Sequence, residues 1–271
     1  LINSAGRMSD ANVSFEFLYT RSFEKAFKLL EQIIAFNDKR KSEEKRLFEA
    51  SLSQISADDK VVVVSGKGWH EGVLGIVASR LARHFGKPAF VFSEFENKAK
   101  GSGRSVGQID IIELCETQKE LFLSYGGHKG AGGMLIELEN LSTLKANLNE
   151  QCAQIPSEKF ISNDEILGIL PLKSVDFDLL LMLDFFEPFG HKNPRPLFEF
   201  KNVCVKSAKT LGKERRHLRL VLGDENTTVQ AVFFDFDKEI KNGQSISFIA
   251  NVSKNDFGGS INPQLVIKNL I

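Results

Sequence analysis

The first part of the chain has a helical alternation of apolar and polar positions. Apolar residues at helical spacings occur at Phe23, Phe27, Leu30 and Ile34. This spacing predicts one stripe that packs against a core. Residues 37–46 are almost all charged or polar, which is typical of a helix that bridges domains in solvent. We therefore predict a long connector helix between about Ser14 and Ile55.

The following hundred residues alternate strand and helix signals. The apolar run 61–64 predicts a strand, the periodic stretch 71–85 a helix, and residues 88–92 a second strand. Strand, helix and strand joined by short loops form a βαβ unit, so at least part of the sheet should be parallel. Three glycine-rich segments, which we interpret as loops, interrupt this region before it ends near Gln154.

The pattern changes after Pro156. A short strand near 166–170 and a helix near 175–186 precede a turn-rich segment, 188–196, that contains three prolines. About five β-rich stretches then follow, near 198–208, 216–222, 227–234, 245–252 and 264–269. A five-stranded barrel of the OB type fits them best. The predicted fold class is α/β plus β, with a connector helix in 1–58, an α/β domain in 59–155, a linker in 156–197 and the barrel in 198–271.

Composition and charge restrict the classes of function. The 35 basic and 35 acidic side chains give a formal net charge of zero, so any basic site must be local. No apolar run approaches the roughly 20 residues that span a bilayer, and the chain lacks a signal-peptide pattern, so we expect a soluble cytoplasmic protein without membrane contacts. Three isolated cysteines suit a reducing compartment. Because the chain begins with Leu1, we expect a fragment whose true start lies upstream.

The first glycine-rich segment is Gly66–Gly72, between a predicted strand and a predicted helix. A helix N-terminus presents free N–H donors, so this segment is suited to an anion. It is neither a P-loop nor a complete GxGxxG, and nucleotide binding is not supported. A tight turn in which Trp69 packs is the competing interpretation and, taken alone, the more frequent one.

The other two glycine-rich segments contain candidate phosphate ligands. In Gly101–Ser105, Arg104 offers a forked set of donors and Ser102 a hydroxyl, although an arginine among glycines is more often a surface turn. Gly126–Gly133 has five glycines in eight residues, which suits close approach of a ligand. There His128 would donate a hydrogen bond or assist proton transfer, and a flexible hairpin with an exposed histidine is an equal alternative.

A basic cluster falls within the predicted barrel. Between residues 195 and 219 lie eight Lys or Arg against two Glu, which suits a groove for single-stranded nucleic acid. The cations that we assign to that groove are Lys209, Lys213, Arg215, Arg216 and Arg219. The barrel phenylalanines are Phe198, Phe200, Phe233, Phe234, Phe248 and Phe257. Most of these rings should form the core, and we expect one or two to be exposed.

No metal-binding or nucleophilic motif is evident. The five histidines do not cluster with carboxylates at ligand-like spacing, and there is no GxSxG or HExxH. The pairs Asp235/Asp237 and Asp176/Asp178 are typical of a strand end and a helix cap. We therefore predict that the chain binds anions and carries no metal.

The glycine-rich segments and their neighbours together resemble the RecJ family in order and approximate spacing. The matching segments are residues 2–8, 68–80, 101–105, 126–128, 186–190, 193–196 and 263–267. The resemblance covers almost the whole chain, and the match over 68–80 is long and specific. One departure is in residues 190–193, where the family pattern has a second glycine in place of His191 or Lys192, which leaves the shape of that loop open.

The resemblance implies a DHH-associated domain and an OB domain that grip single-stranded DNA. RecJ proteins degrade this substrate from the 5′ end in recombination and repair, using Mn²⁺ or Mg²⁺ held by an N-terminal DHH domain whose motif is absent here. Arg7, Ser102, Arg104 and His128 match positions where the family contacts substrate phosphates. His70 lies in a matching motif, and we assign it to the substrate phosphates as well, while His128 is the one candidate for a catalytic role.

The resemblance further implies a single-strand-binding protein or a helicase as a partner. Two other functions stay open. An oligonucleotide phosphodiesterase of the same superfamily would generally lack the barrel. A non-catalytic nucleic-acid-binding scaffold would share it.

Overall fold

The computed structural model describes most of the chain and divides it into two compact units. The described residues are 1–161, 165–190, 192–211, 217–223, 226–234, 236, 239–257 and 260–271, without the side chain of Phe257. The first unit is Leu1–Asn163 and the second is Asp164–Ile271. Among these described residues, no helix is long and apolar enough to cross a membrane.

Three helices open the first unit: α1 (Asn3–Met8), α2 (Asn12–Tyr19) and α3 (Phe23–Leu52). The long helix is confirmed, but the predicted packing stripe is wrong. Phe23 is 86% exposed and Phe27 is 54% exposed, whereas Leu29, Ile33 and Leu47 are buried. The helix carries two apolar stripes, and the one that contains Leu29, Ile33 and Leu47 is the one that packs within this chain.

The polar middle of α3 does not simply bridge solvent, as its composition suggests. The carboxylate of Glu44 lies 2.8 Å from Arg40 and 3.7 Å from Arg80 of the helix α4, defined below. The guanidinium of Arg80 also lies 4.0 Å from the centroid of the Phe48 ring. Ion pairing and a cation–π contact therefore attach α3 to α4.

The α/β domain contains a five-stranded mixed sheet. Its elements are β1 (Val62–Lys67), α4 (Glu71–Phe85), β2 (Ala89–Phe95), β3 (Lys98–Arg104), α5 (Ile111–Glu116), β4 (Phe122–His128), β5 (Ala131–Glu137) and α6 (Leu141–Ala153). The strand order is β1-β2-β3-β5-β4, with β1 and β2 parallel and the other neighbours antiparallel. The predicted βαβ unit is confirmed, and α4 begins and ends at the predicted residues.

Two glycine-rich segments that we interpreted as loops lie in strands. Gly101 and Gly103 belong to β3, where an added Cβ would lie 2.4 Å from the Phe92 ring and 3.0 Å from the Phe90 ring. Glycine is required there because the large aromatic side chains of β2 fill the space on that face. The segment 126–133 likewise forms the ends of β4 and β5.

The second unit is a closed barrel with an added strand and helix. Its elements are β6 (Ile166–Ile169), α7 (Phe177–Asp184), β7 (Leu197–Leu211), β8 (His217–Gly223), β9 (Thr228–Phe233), β10 (Ser245–Phe257) and β11 (Ser260–Leu270). The order β7-β8-β9-β11-β10 is closed by pairing of β10 with β7. Apart from the parallel pair β9 and β11, these barrel neighbours are antiparallel. The predicted five-stranded barrel is confirmed.

The segment that we interpreted as a linker contributes to the barrel. Strand β6 pairs in parallel with β7, and Val175, Leu180 and Leu183 are buried in the barrel core. Burial of these side chains stabilises the barrel through the hydrophobic effect. The domain boundaries at residues 58, 155 and 197 stay predictions.

The buried thiols of the first unit should resist modification. Burial raises the pKa of Cys115 to about 12, with a smaller contribution from the Asp110 carboxylate, and burial raises the pKa of Cys152 to about 11. A protonated thiol is a poor nucleophile. At about pH 8 we expect an aromatic disulfide reagent to modify the partly exposed Cys204 in the native protein and all three thiols after denaturation.

The variant Cys204→Ser is the control and should give almost no signal before unfolding. Rapid labelling of this variant in its native state would contradict the burial of Cys115 in α5 and Cys152 in α6.

Candidate functional site

Helix α4 lies unusually close to α1 and β3 because two of its residues lack side chains. A Cβ on Gly72 would lie 1.8 Å from the Arg7 carbonyl oxygen, and a Cβ on Gly75 would lie 2.4 Å from Nη2 of Arg104. Arg7 Nη1 also donates to the Gly72 carbonyl at 3.4 Å. The two glycines therefore allow an arginine from α1 and an arginine from β3 to converge beside α4.

Arg104 is held by neutral groups. Its Nη1 donates to Ser102 Oγ at 2.8 Å and to the Gly103 carbonyl at 2.7 Å. Burial, and then the positive charge of Arg7, lower the pKa of the Arg104 guanidinium. Within the described part of the chain, neither arginine forms an ion pair with a carboxylate. Two converging cations of this kind are suited to an anion, which would offset their repulsion.

The sheet register places His128 on the same face as this pair. Arg104, Ala131 and His128 are direct partners across β3, β5 and β4, and Ser102, Gly133 and Gly126 form the neighbouring row. Direct partners in antiparallel strands point to the same face. Two strand spacings put the Cα atoms of Arg104 and His128 roughly 10 Å apart.

An open area, which we call the glycine floor, lies in the neighbouring row, beside Ser102 and next to the row of Arg104, Ala131 and His128. It consists of Gly126 and Gly133, and a Cβ at either position would have no heavy atom within 4 Å. By contrast, a Cβ on Gly132 would lie 3.2 Å from the Ile111 side chain on the opposite face. Packing within the chain thus explains glycine at 132 and not at 126 or 133. The glycine floor therefore leaves room for a ligand.

The predicted phosphate ligands are brought together to different degrees. Arg7, Ser102 and Arg104 converge, and His128 lies two strands away from Arg104 on the same face of the sheet. His128 Nδ1 accepts from the Gly130 N–H at 3.2 Å, which directs Nε2 as the nitrogen for a ligand. His70 Nδ1 accepts from the Gly72 N–H at 3.1 Å and so caps α4. Because Nδ1 is already used, only Nε2 of His70 could bind a phosphate, and this assignment stays a prediction.

The segment Gly66–Gly72 is a structural turn and not an open anion site. Trp69 is buried, and a Cβ on Gly66 would lie 2.4 Å from its indole ring, while Gly68 has a φ of 67°. The first N–H groups of α4 are occupied, because Gly72 donates to His70 Nδ1 and Val73 donates to the His70 carbonyl. The structure therefore agrees with the interpretation of this segment as a tight turn in which Trp69 packs.

Sequence reasoning missed the role of Gly72 and Gly75. Glycine inside a helix lowers stability by about 0.5–1 kcal/mol relative to alanine. Two glycines within the first turns of α4 were therefore the sequence signal that another part of the chain approaches the helix closely there. It also missed that Lys100, next to Ser102 on the open face of β3, forms an ion pair of 2.6 Å with Glu71.

The predicted cations of the barrel are only partly described. Lys209 and Arg219 are direct partners across β7 and β8, and Arg219 Nη2 donates to Gln230 Oε1 at 2.9 Å. Lys213, Arg215 and Arg216 lie outside the described residues, as do His191, Asp235 and Asp237. The pair of cations on β7 and β8 is thus the part of the predicted groove that the structure describes.

Most of the barrel phenylalanines form the core, as expected. Phe200 and Phe248 are buried and stack at 5.1 Å, Phe233 is buried and Phe198 packs against the core. Phe234 differs because it is 54% exposed.

Across the described residues, no group of three or more His, Cys, Asp or Glu is arranged to hold a metal ion.

The two domains match known families. Residues 58–154 match the DHHA1 domain, and residues 168–269 match the RecJ OB domain. The chain is 27% identical to the single-stranded-DNA-specific exonuclease RecJ of Bacillus subtilis over 99% of the chain and 35% of that protein. It is 30% identical to RecJ of Thermus thermophilus over 80% of the chain and 31% of that protein.

Solved structures show the same likeness. A crystal structure of RecJ from Thermus thermophilus in complex with Mn²⁺ matches with a TM-score of 0.80 and 26% identity, over all of this chain and 40% of that one. The structure of that RecJ with Mg²⁺ matches with a TM-score of 0.79 and 26% identity, over 99% of this chain and 42% of that one. The chain therefore spans about a third of these two curated relatives and less than half of the solved chains.

Replacing Gly75 should separate the stability of the first unit from its anion binding. In Gly75→Ala the added methyl meets the ends of the Arg104 and Ser102 side chains, which can move. Alanine also favours the helix by up to about 1 kcal/mol. We expect thermal unfolding of the variant at an equal or higher temperature, together with loss of the stabilisation that inorganic phosphate gives the wild type.

The matched control is Gly86→Ala at the end of α4. Gly86 has a φ of 62°, so alanine there should lower stability and leave the phosphate effect in place. Equal phosphate stabilisation of Gly75→Ala and the wild type would contradict the position assigned to the anion.

Proposed function

We propose that this chain, a RecJ-family chain with a DHHA1 domain and an OB domain, is the part of a metal-dependent 5′-to-3′ exonuclease that grips single-stranded DNA. The observation that supports the proposal most directly is the convergence of Arg7 and Arg104 beside the open glycine floor. A basic site of this kind is local, as the zero net charge of the chain requires.

The geometry suggests how the end of a strand binds. The 5′-terminal phosphate would accept hydrogen bonds from the guanidinium groups of Arg7 and Arg104 and from the Ser102 hydroxyl. The first nucleoside would then lie over the glycine floor, where neither Gly126 nor Gly133 presents a side chain. His128 Nε2 would donate to the following phosphate beside the floor.

The OB domain would hold the strand away from its end. Lys209 and Arg219 would neutralise phosphates there, together with Lys213, Arg215 and Arg216 in the segment between β7 and β8. Contacts of this kind attract any sequence of single-stranded DNA and weaken as the salt concentration rises.

Hydrolysis would require groups outside this chain. Mn²⁺ or Mg²⁺ would activate water and stabilise the scissile phosphate, as metal ions do in phosphoryl transfer. We propose that a DHH domain, absent from the present sequence, holds these ions. The chain alone would then bind DNA and leave it intact, with His128 as its nearest candidate for a catalytic role.

The proposed function also implies a cellular process, a location and partners. We propose that the complete protein acts in the cytoplasm in DNA recombination and repair, with a single-strand-binding protein or a helicase supplying its substrate. An oligonucleotide phosphodiesterase is less well supported because the chain has the barrel. A scaffold without activity is less well supported because the phosphate ligands Ser102, Arg104 and His128 are all present and lie on one open face.

Loss of the phosphate ligands should weaken binding of 5′-phosphorylated DNA in particular. We expect Arg104→Ala to lower the affinity for a 5′-phosphorylated single-stranded oligonucleotide about 10- to 100-fold, because a hydrogen bond to a charged group contributes about 1.5–3 kcal/mol. The double variant with His128→Ala should bind more weakly still. Fluorescence anisotropy across a salt series, with phosphorylated and unphosphorylated strands, measures both effects.

The matched control is Arg83→Ala, which removes an exposed arginine from the far end of α4 and should change little. Absence of binding at low salt, or equal losses for Arg104→Ala and Arg83→Ala, would refute the assignment. Rapid cleavage by this chain with Mn²⁺ would show that the chain itself holds a catalytic metal site.

A further inference from the structure

One loop of the first unit holds the turn between β4 and β5. Residues 105–111, which we call the clamp loop, run from the end of β3 to the first residue of α5. The N–H of Ser105 donates to the Gly130 carbonyl at 3.1 Å, and the N–H of Ile111 donates to the Lys129 carbonyl at 3.0 Å. The two ends of the clamp loop therefore hold the two residues that connect β4 to β5.

The same turn fixes the imidazole ring of His128. The Gly130 N–H donates to His128 Nδ1 at 3.2 Å, and the Gly130 carbonyl accepts from Ser105. Gly130 is thus bonded to the ring through its N–H and to the clamp loop through its carbonyl group. A displacement of the loop at Ser105 would therefore disturb the hydrogen bond that directs Nε2 of His128 toward a ligand.

The middle of the clamp loop has a second neighbour, the segment 157–161, which we call the strap. The Gln108 N–H donates to the Lys159 carbonyl at 2.8 Å. Gly107 has a φ of 57°, and a Cβ there would lie 2.5 Å from the Lys159 carbonyl oxygen and 2.8 Å from that of Ile161. Both the backbone conformation and the close approach of the strap require glycine at this position.

The strap and the clamp loop are attached to the same core. Phe160 packs against the buried cluster that contains Ile109 and Ile111. A closely packed core transmits a shift at one point to its neighbours. An added side chain at position 107 would therefore lift the strap from its seat or distort the clamp loop.

We propose that Gly107 and the strap are positioning elements of the anion site, because the strap seated on Gly107 fixes the clamp loop and, through it, the orientation of the His128 ring. The inference rests on the proposed function for the role of His128 as a phosphate ligand. The strap is then more than a tether to the second unit, which begins at Asp164. Displacing the strap would weaken the contribution of His128 in particular, since Arg104 is held by groups outside the clamp loop.

A double-mutant cycle tests whether Gly107 acts through His128. We expect Gly107→Ala to lower the affinity for a 5′-phosphorylated single-stranded oligonucleotide about two- to tenfold, which is the effect of losing one hydrogen bond. In the His128→Ala background the same substitution should cause no further loss, because the ring that it displaces is already absent. Fluorescence anisotropy measures the four affinities at a temperature at which circular dichroism shows every variant to be folded.

The matched control is Gly86→Ala. Gly86 has a φ of 62°, close to that of Gly107, but a Cβ there would have no heavy atom within 4 Å. Alanine at position 86 therefore introduces the same backbone strain without meeting a neighbouring segment. We expect this variant to bind the oligonucleotide as the wild type does, with or without His128.

A second variant reaches the strap without changing Gly107. Phe160→Ala removes the side chain that attaches the strap to the core, and it should reproduce the pattern of Gly107→Ala in the same cycle. Leu141→Ala is its control, because Leu141 is also partly buried against that cluster and lies at the start of α6.

Hydrogen exchange tests the mechanical link with no DNA present. In Gly107→Ala and in Phe160→Ala, the N–H groups of Gln108 and Ser105 should exchange with solvent at least tenfold faster than in the wild type, because their acceptors are displaced. The N–H groups within β2 should exchange at the wild-type rate. Nuclear magnetic resonance resolves these amides individually.

The outcomes distinguish failure of the inference from failure of the proposed function. If the wild-type chain does not bind the oligonucleotide at low salt, the proposed function and this inference both fail. If the wild type binds and Gly107→Ala lowers the affinity equally with and without His128, or behaves like Gly86→Ala, the strap does not position the ring and the proposed function stands. Unchanged exchange at Gln108 and Ser105 would likewise overturn the inference alone.

Discussion

The close approach of α4 to its neighbours is the constraint on which the rest of the first unit depends. Because Gly72 and Gly75 have no side chains, the helix can lie against the backbone of Arg7 and against the guanidinium of Arg104. The His70 side chain accepts a hydrogen bond from the Gly72 N–H, so that donor of the first turn is already occupied. The close packing thus places two positive charges together on a face of the sheet, and among the described residues neither arginine forms an ion pair with a carboxylate.

Under the proposed function, the two domains would have complementary roles. In the first unit, fixed cations and the glycine floor suit one phosphate and its nucleoside, which is selection for a strand end. In the second unit, Lys209 and Arg219 on β7 and β8 would bind phosphates anywhere along a strand. Recognition of an end together with sequence-tolerant contacts is what a single-strand exonuclease would require of the part that does not hold its metals.

Most of the fold follows from local signals in the sequence, and the errors have physical causes. Helix α4 and the strands of the barrel are predictable because apolar periodicity reports directly on burial. The strand that contains Gly101 and Gly103 resembles a loop in sequence because the aromatic rings that require these glycines, those of Phe90 and Phe92, lie on another strand. The prediction for the stripe that begins at Phe23 fails because periodicity does not say which of two apolar faces meets the rest of the chain.

The candidate site shows the same limit. Its candidate charged ligands are identifiable from residue type and motif, whereas the convergence of Arg7 with Arg104 depends on contacts between distant segments. The exposure of Phe234 depends on how the strands pair, and sequence alone could not distinguish this residue from the buried core phenylalanines.

The most direct test of this account is a crystal structure of the chain with a 5′-phosphorylated dinucleotide. The account predicts the terminal phosphate within hydrogen-bond distance of Arg7, Ser102 and Arg104, with the first nucleoside over Gly126 and Gly133. A phosphate bound at the N-terminus of α4 beside Trp69, with the glycine floor unoccupied, would contradict it.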